Sequence, residues 1–395
     1  MRKSITTGLI ALLAIVMCAA IAQAQNPTSG QTGPLTWKYD TDTKTLTISG
    51  QGEMPNYDRE HPAPWQDHNQ EMQKLVVEEG VTGIGDYAFR YADNLISVTL
   101  PKTATRIGDR SFVSCKSLST ISIPAGVIKI GPAAFGDCES LTSVTLPDGL
   151  KEIAHIAFTM CYELATVTIP ASVETIGTGA FSDCGSLSAI TVAAGNANYV
   201  AVDGVLFNKA KTMLFQYPAG RADTSYVIPA GVTNIKEQSF DAARRLTSVT
   251  LPASVKVIGD GAFSGCKNLK SLTVGMKTPP DIDKKDVFEQ VSVANATLTV
   301  PKGSKAAYAA APVWKEFKQI AESTVANATV PEARIYAAEG LVYMTLPQAA
   351  TIRIYNLNGV LVRSLTAPAG LTTVALPEGI YIVRTGEHTE KVFIH

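Results

Sequence analysis

The chain predicts a mainly β fold with short helical turns: a solenoid of 23-residue repeats, followed by a small C-terminal antiparallel β-sandwich. Three observations predict it. First, Leu95-Ile-Ser-Val-Thr-Leu-Pro101 returns as Leu118-Ser-Thr-Ile-Ser-Ile-Pro124, Leu141-Thr-Ser-Val-Thr-Leu-Pro147 and Leu164-Ala-Thr-Val-Thr-Ile-Pro170. Second, each copy carries another signature at a fixed offset, such as Ile130-Gly-Pro-Ala-Ala-Phe135 then Cys138, or Ile176-Gly-Thr-Gly-Ala-Phe181 then Cys184. Third, from residue 333 the period is gone, and short β-rich runs separated by turn signals replace it. A fixed period of identical apolar positions means that each unit is one turn, able to bury its hydrophobic face only against its neighbours. Such a chain is an extended surface, suited to binding more than to catalysis.

Residues 1–24 are expected to be a signal peptide. Arg2 and Lys3 precede an apolar run from Leu9 to Ala22, and Ala22-Gln-Ala24 is a small-x-small cleavage site. The run is short for a membrane span. Cys18 raises a lipoprotein alternative, but Ile15-Val16-Met17 offers no small residue beside it. Residues 25–70 are expected to hold a disordered leader and an N-terminal β cap. Residues 25–34 are rich in Gly, Pro, Ser and Thr, whereas Leu35–Tyr39 and Lys44–Ser49 alternate at period two around the turn Asp40–Thr43. A solenoid needs its first rung covered.

The repeats span 71–276. In Leu-x-x-Val-x-Leu-Pro the fourth and sixth places are apolar and alternate with Ser or Thr, as a half-buried strand requires, and Pro ends the ladder. Gly in the second signature reads as a tight bend. Between Val192 and Ile228 the spacing is 36 residues instead of 23, which places a β-excursion at 193–222. Residues 277–322 read as a C-terminal cap with a helix from Gly303 to Phe317 carrying Trp314, 323–332 as a linker, and 333–395 as the sandwich, sorting- or anchoring-like.

With 34 Lys and Arg against 35 Asp and Glu, the net charge is −1, and loss of Arg2 and Lys3 with the leader makes it −3. Neither value gives a nucleic-acid or membrane footprint. Cys115, Cys138, Cys161 and Cys184 recur at the repeat period, with Cys266 further on, and Ala92 and Ala243 take the same place elsewhere. The position asks for a small side chain: buried thiols are the simplest reading, with inter-rung disulfides open, and no His joins the column to make a metal site. His61 and His68 lie among acids in a Pro- and charge-rich loop that reads as solvated, and His155 reads as an exposed turn variant. There is no Gly-x-Ser-x-Gly elbow and no phosphate-binding glycine pattern, so neither catalytic residues nor cofactor or metal ligands are expected.

Two candidate surfaces remain. Thr99, Ser122, Thr145, Thr168, Thr191, Thr250 and Thr273, at the fifth strand place, form a hydroxyl column on the wet face. Tyr199 and Tyr217 lie in an aromatic cluster within the excursion, either as binding anchors or as its packing core.

The repeat Leu-x-x-Val-x-Leu-Pro-x-x-Val-x-x-Ile-Gly-x-x-Ala-Phe-x-x-Cys resembles the BspA-like (Treponema-type) leucine-rich repeat of bacterial and some protist surface proteins, over about residues 72–276. Leu35-Thr-Trp37 with Pro64-Trp65 is similar to the family's N-terminal cap, and Thr297–Gly303 with Tyr308 and Trp314–Phe317 to its C-terminal cap. Ile352–Gly359, Leu376–Val383 and Lys391-Val392 are similar to C-terminal sorting domains of Bacteroidetes secreted proteins. The resemblance implies an exported, secreted or outer-surface adhesin-like protein that binds an extracellular protein, with a glycan-binding module or a surface scaffold as the alternatives. It brings no catalytic residues.

Overall fold

The computed structural model describes residues 26–280, 282, 285–323, 334–338, 340–346, 350–368, 370–385 and 388–394. The expected signal segment with Cys18, and the expected linker beyond Ser323, lie outside them. The chain divides into two compact units, Met1–Leu164 with Ser172–Ala180, and Ala165–Ala171 with Phe181–His395. Among the described residues, no helix is long and apolar enough to cross a membrane.

In the first unit, strands Leu35–Asp40 and Thr45–Gly50 make the expected hairpin, and the Asp40 carboxylate accepts N–H bonds from Asp42 and Thr43 at 3.0 and 2.9 Å to close it. Those bonds hold the Asp40 carboxyl below its ordinary range. The leader departs from expectation, because Ser29–Thr32 adds an outer antiparallel strand. Gly30 permits this: a Cβ there would stand 2.8 Å from the Trp37 indole nitrogen. Thr45–Gly50 then runs parallel to the first rung, Leu46 opposite Leu75 and Ile48 opposite Val77, so the hairpin covers the open edge.

The Pro-rich loop also departs from a purely solvated reading. Trp65 is fully buried, and its indole N–H donates to the Ala88 carbonyl at 2.8 Å. His68 is buried, stacked on Tyr39 at 4.3 Å with Nε2 2.8 Å from the Pro27 carbonyl oxygen, while His61 remains exposed beside Asp58. The apolar body of an imidazole fills the cap while its nitrogen keeps a polar partner, which is how a buried polar ring is tolerated.

Each turn has three sides. The first is the short strand of the Leu-x-x-Val-x-Leu signature, such as Thr120–Ser122 and Ser143–Thr145, paired parallel. The second is a two-residue strand, Arg106–Ile107, Lys129–Ile130, Glu152–Ile153 and Thr175–Ile176, stacked in register. The third is a run of turns whose alternate N–H groups donate to the next turn: Phe112 to Ala134 O at 2.9 Å, Ser114 to Gly136 O at 2.8 Å, Phe135 to Ala157 O at 2.8 Å. Backbone groups therefore find partners between turns, as buried polar groups require.

The repeat glycine does something other than bend the chain. A Cβ on Gly108 would stand 2.7 Å from both Asp86 N and Gly85 C, so its role is close approach of successive turns. The left-handed backbone comes two residues later, at Tyr87, Arg110 and Ala133, with φ of 57°, 50° and 51°, and Ile156 keeps it at φ 48° with Ala154 in the glycine's place. A second left-handed corner follows each Phe, at Tyr91, Ser114 and Met160.

Inside, the rings stack. Trp65–Phe89, Phe89–Phe112, Phe112–Phe135 and Phe135–Phe158 centroids are 5.7, 5.2, 5.3 and 5.3 Å apart. Beside them run Cys115, Cys138, Cys161, Cys184 and Cys266, all buried. Their thiols donate to the carbonyl of the preceding turn's Phe, Cys115 to Phe89, Cys138 to Phe112 and Cys161 to Phe135, at 3.2–3.3 Å. Burial pushes the Cys138 and Cys266 thiols up to about 12. Such thiols are poor nucleophiles. A thiol-titrating disulfide reagent added to the native protein at pH 8 is therefore expected to leave all five unmodified until denaturant is added; rapid native reaction would contradict their burial.

The second unit opens with Thr166–Ile169 parallel to Ala189–Val192. The excursion follows as Tyr199–Val202, Val205–Asn208 and Met213–Gln216, antiparallel in sequence order, with Asp203 and Gly204 both at positive φ as a two-residue hairpin turn requires. The third of these strands returns to the solenoid, Leu214 opposite Ile235 and then Ile258. The strand side continues as Ser225–Val227, Ser248–Leu251, Ser271–Val274, Thr297–Val300 and Gln319–Glu322, all parallel. The cap helix is shorter than the sequence suggests, Lys305–Ala310. Pro312 lacks the N–H to continue it, and Val313 at φ 64° redirects the chain. Trp314 then enters the core and donates to the Pro280 carbonyl at 3.1 Å.

The C-terminal segment makes two antiparallel sheets. One holds Arg334–Ala338, Leu341–Leu346 and Gly370–Ala375; the other holds Leu361–Ala367, Ala350–Asn356, Gly379–Thr385 and His388–Ile394. Its core of Val342, Met344, Ile352, Ile354 and Val383 is distinct from that of the solenoid turns.

Candidate binding surface

The period of two along each strand decides what faces water. In the first unit Val77, Ile121 and their neighbours turn inward, and Thr99, Ser122 and Thr145 are exposed. Parallel register sets Ser122 opposite Thr145, so hydroxyls align across turns. In the second unit Thr168 and Thr191 are exposed and opposite each other, their Oγ1 atoms 2.8 Å apart. Thr250 and Thr273 are opposite each other as well but half-buried. The fifth strand place is only half of the wet side. The third place presents Ser97, Thr120 and Ser143 in the first unit and Thr166 in the second, each exposed on the side of its strand that the fifth place shares. The signal was available, because third and fifth places share one face.

On the other strand side the charges neutralise one another turn by turn: Lys129 with Glu152 at 3.2 Å, Lys151 with Glu174 at 2.7 Å, and Arg106 with both Glu53 and Asp86. Exposed pairs of this kind contribute little stability each. On the hydroxyl side the third and fifth places from Ser97 to Thr145 carry no charge, and Lys74 of the first rung stands opposite Ser97.

Tyr199 and Tyr217 require correction as surface anchors. Tyr199 is 6% exposed, edge-on to Phe215 at 5.1 Å, and Tyr217 is 1% exposed. Tyr217 stands where other turns carry Phe. Its N–H donates to Ser239 O at 2.7 Å, as Phe240 N–H does to Ala262 O, and its ring stacks on Phe240 at 5.1 Å. The inserted hairpin adds residues to this turn, but the column still needs a ring, and Tyr217 supplies it. Burial raises its hydroxyl well above the tyrosine range.

The excursion does border a cleft of about 470 Å³ within the second unit, lined by Thr191, Tyr199, Lys209 and Lys211 and by Tyr336 and Tyr343 of the C-terminal segment. The last two rings stack at 5.0 Å, nearly parallel. Burial, then the charge of Lys209, lowers the Lys211 ammonium, and burial pushes the Tyr336 hydroxyl up to about 12. No group of three or more His, Cys, Asp or Glu among the described residues is placed to hold a metal ion.

Comparison with known proteins agrees with this geometry. The family model of the BspA type leucine-rich repeat region matches in six copies over residues 68–200 and 220–302, more than half of the chain. The unmatched stretch between them falls in the excursion. A leucine-rich repeat protein from Eubacterium ventriosum is similar in structure at 26% identity, covering 69% of this chain and 76% of that one with a TM-score of 0.51. A leucine rich cell surface protein from Faecalibacterium prausnitzii is similar at 25% identity, covering 76% and 96% with a TM-score of 0.50. Among curated proteins there is no match.

Proposed function

Since this chain belongs to the BspA-type leucine-rich repeat family, we propose that it is an exported surface protein whose hydroxyl face binds an extracellular protein, in adhesion to a matrix or another cell. The observation that carries the reading is the aligned face of Thr99, Ser122 and Thr145 in one unit and Thr168 and Thr191 in the other, uncharged, exposed and held on rigid strands. Rigid, pre-ordered side chains lose little entropy on binding. Export is supported by the leader at 1–24 and by the cell-surface description of the Faecalibacterium relative. The C-terminal sandwich, with its own core, is proposed as the sorting or anchoring segment at 333–395.

The test is a binding screen of the mature chain against extracellular matrix proteins, repeated with Thr145→Lys plus Thr168→Lys. Each substitution sets an ammonium group on an exposed hydroxyl place of its own unit, and the pair is expected to weaken binding at least about tenfold, since unpaired charges buried by a partner are costly. Unchanged affinity in the folded double variant rejects the face. A glycan reading is favoured by the Tyr336–Tyr343 stack and the lysines of the cleft; a sugar whose binding is lost in Tyr343→Ala and kept in the threonine variant would establish it instead.

A further inference from the structure

We propose that the corner of the first two turns, built from Tyr87, Arg90, Tyr91 and Arg110, is a docking site for a carboxylate-rich segment of a partner protein. The Arg90 guanidinium lies 5.5 Å from the centroids of both the Tyr87 and Tyr91 rings. The Arg110 guanidinium lies 5.6 Å from the Tyr87 ring, and its Nη1 donates to the Tyr87 hydroxyl at 3.1 Å. The four side chains thus form one contiguous patch drawn from adjacent turns. It is open to solvent: Tyr91 is 47% exposed, and Arg110 is exposed.

Three observations bear on what this corner would take. Arg106, Arg221 and Arg244 each pair with carboxylates; Arg90 and Arg110 make no ion pair with a described carboxylate, as Arg245 and Arg334 also do not, but here two such guanidiniums share one ring, that of Tyr87. The backbone places are also unusual for their occupants. Tyr87, Arg110 and Tyr91 sit at left-handed corners that other turns fill with Ala133, Gly179 and Gly261, or with Asp137, Asp183 and Gly265. The stack does not require a ring or guanidinium there: Ala, Gly and Asp serve in some turns, and Ile156, Met160 and Gln238 in others. Finally, arginine held over tyrosine is ordered before any partner arrives; Arg90 donates one N–H to Gln66 Oε1 at 3.4 Å and Arg110 one to the Tyr87 hydroxyl, and the remaining N–H groups are left for a carboxylate. Arg and Tyr are the residue types that carry most of the energy at protein interfaces.

The inference rests on the reading that the repeats bind a protein, but assigns the contact to a different segment of the turns from the hydroxyl strands. Its test uses a fluorescein-labelled decaglutamate peptide titrated with the mature chain by anisotropy, at about 50 mM salt where screening is weak. Arg90→Gln with Arg110→Gln is expected to weaken binding at least about tenfold. Lys102→Gln with Lys256→Gln, which removes the same charge from exposed sites, should bind as the parent does. Arg90→Lys with Arg110→Lys should recover only part of the loss, because the charge returns without the fork. Thr145→Lys with Thr168→Lys should keep peptide binding, so failure of the hydroxyl face and failure of this site are read apart. Equal affinity of the glutamine pair and the parent, or no binding at low salt, overturns the proposal. So does a sulfated oligosaccharide that binds the patch more tightly than the peptide and displaces it, which would give the site to glycans.

Discussion

Phe135→Ala is expected to lower the stability of the first unit by about 3–5 kcal/mol, the range for emptying a fully buried aromatic site. Phe135 has no exposed surface and stacks between Phe112 and Phe158 at 5.3 Å on each side, tilted by only 5° and 10°. Stacked rings contribute about 0.5–1.5 kcal/mol beyond their area. The void has little means of closing, because interturn bonds on both sides of it, Phe112 N–H to Ala134 O and Phe135 N–H to Ala157 O, fix the spacing of the turns. Since stacked repeats exchange energy mainly with nearest neighbours, the loss should be visible both in a urea titration and as faster amide exchange in the turns that carry Phe112 and Phe158. A loss below about 1 kcal/mol would mean that the ring column is not the core.

Tyr217→Ala should have an effect of similar size, about 3–5 kcal/mol, although the residue lies in the excursion that the sequence marks as irregular. Its ring is stacked on Phe240 and edge-on to Tyr226 at 4.9 Å, with the Arg221 guanidinium 5.6 Å from its centroid. Tyr217→Phe should cost no more than about 1 kcal/mol, because the hydroxyl's contact with Asp223 is long, at 3.4 Å. The contrast separates packing from polar function. If Tyr217→Ala folds as stably as the parent, the excursion does not continue the column. If Tyr217→Phe is as damaging as Tyr217→Ala, the hydroxyl matters more than the ring.

How much of this was readable from residues alone varies with the physics of each element. The repeat, the hairpin cap and the hydroxyl column follow from strict periods, and periods survive in sequence because every turn repeats the same packing problem. Tyr217 was legible as well: it precedes Phe240 by the repeat length of 23, but aligning strands rather than rings hid it. Trp65 stands 24 residues before Phe89, and the Pro and charge around it made its loop read as solvated. The role of the repeat glycine was misread because close approach and positive φ leave the same residue behind. The Arg–Tyr corner was not legible. It depends on side chains from successive turns meeting at left-handed corners, which neither composition nor periodicity reports.

A binding face on these turns should be visible as protection of their backbone when a partner docks. The most direct measurement is hydrogen–deuterium exchange of the mature chain alone and with whichever extracellular protein the screen identifies. The account predicts added protection on the strands Ser97–Thr99, Thr120–Ser122, Ser143–Thr145 and Thr166–Ile169, and at the corner from Tyr87 to Tyr91. Protection confined to the C-terminal sandwich, with these strands exchanging as in the free protein, would contradict it.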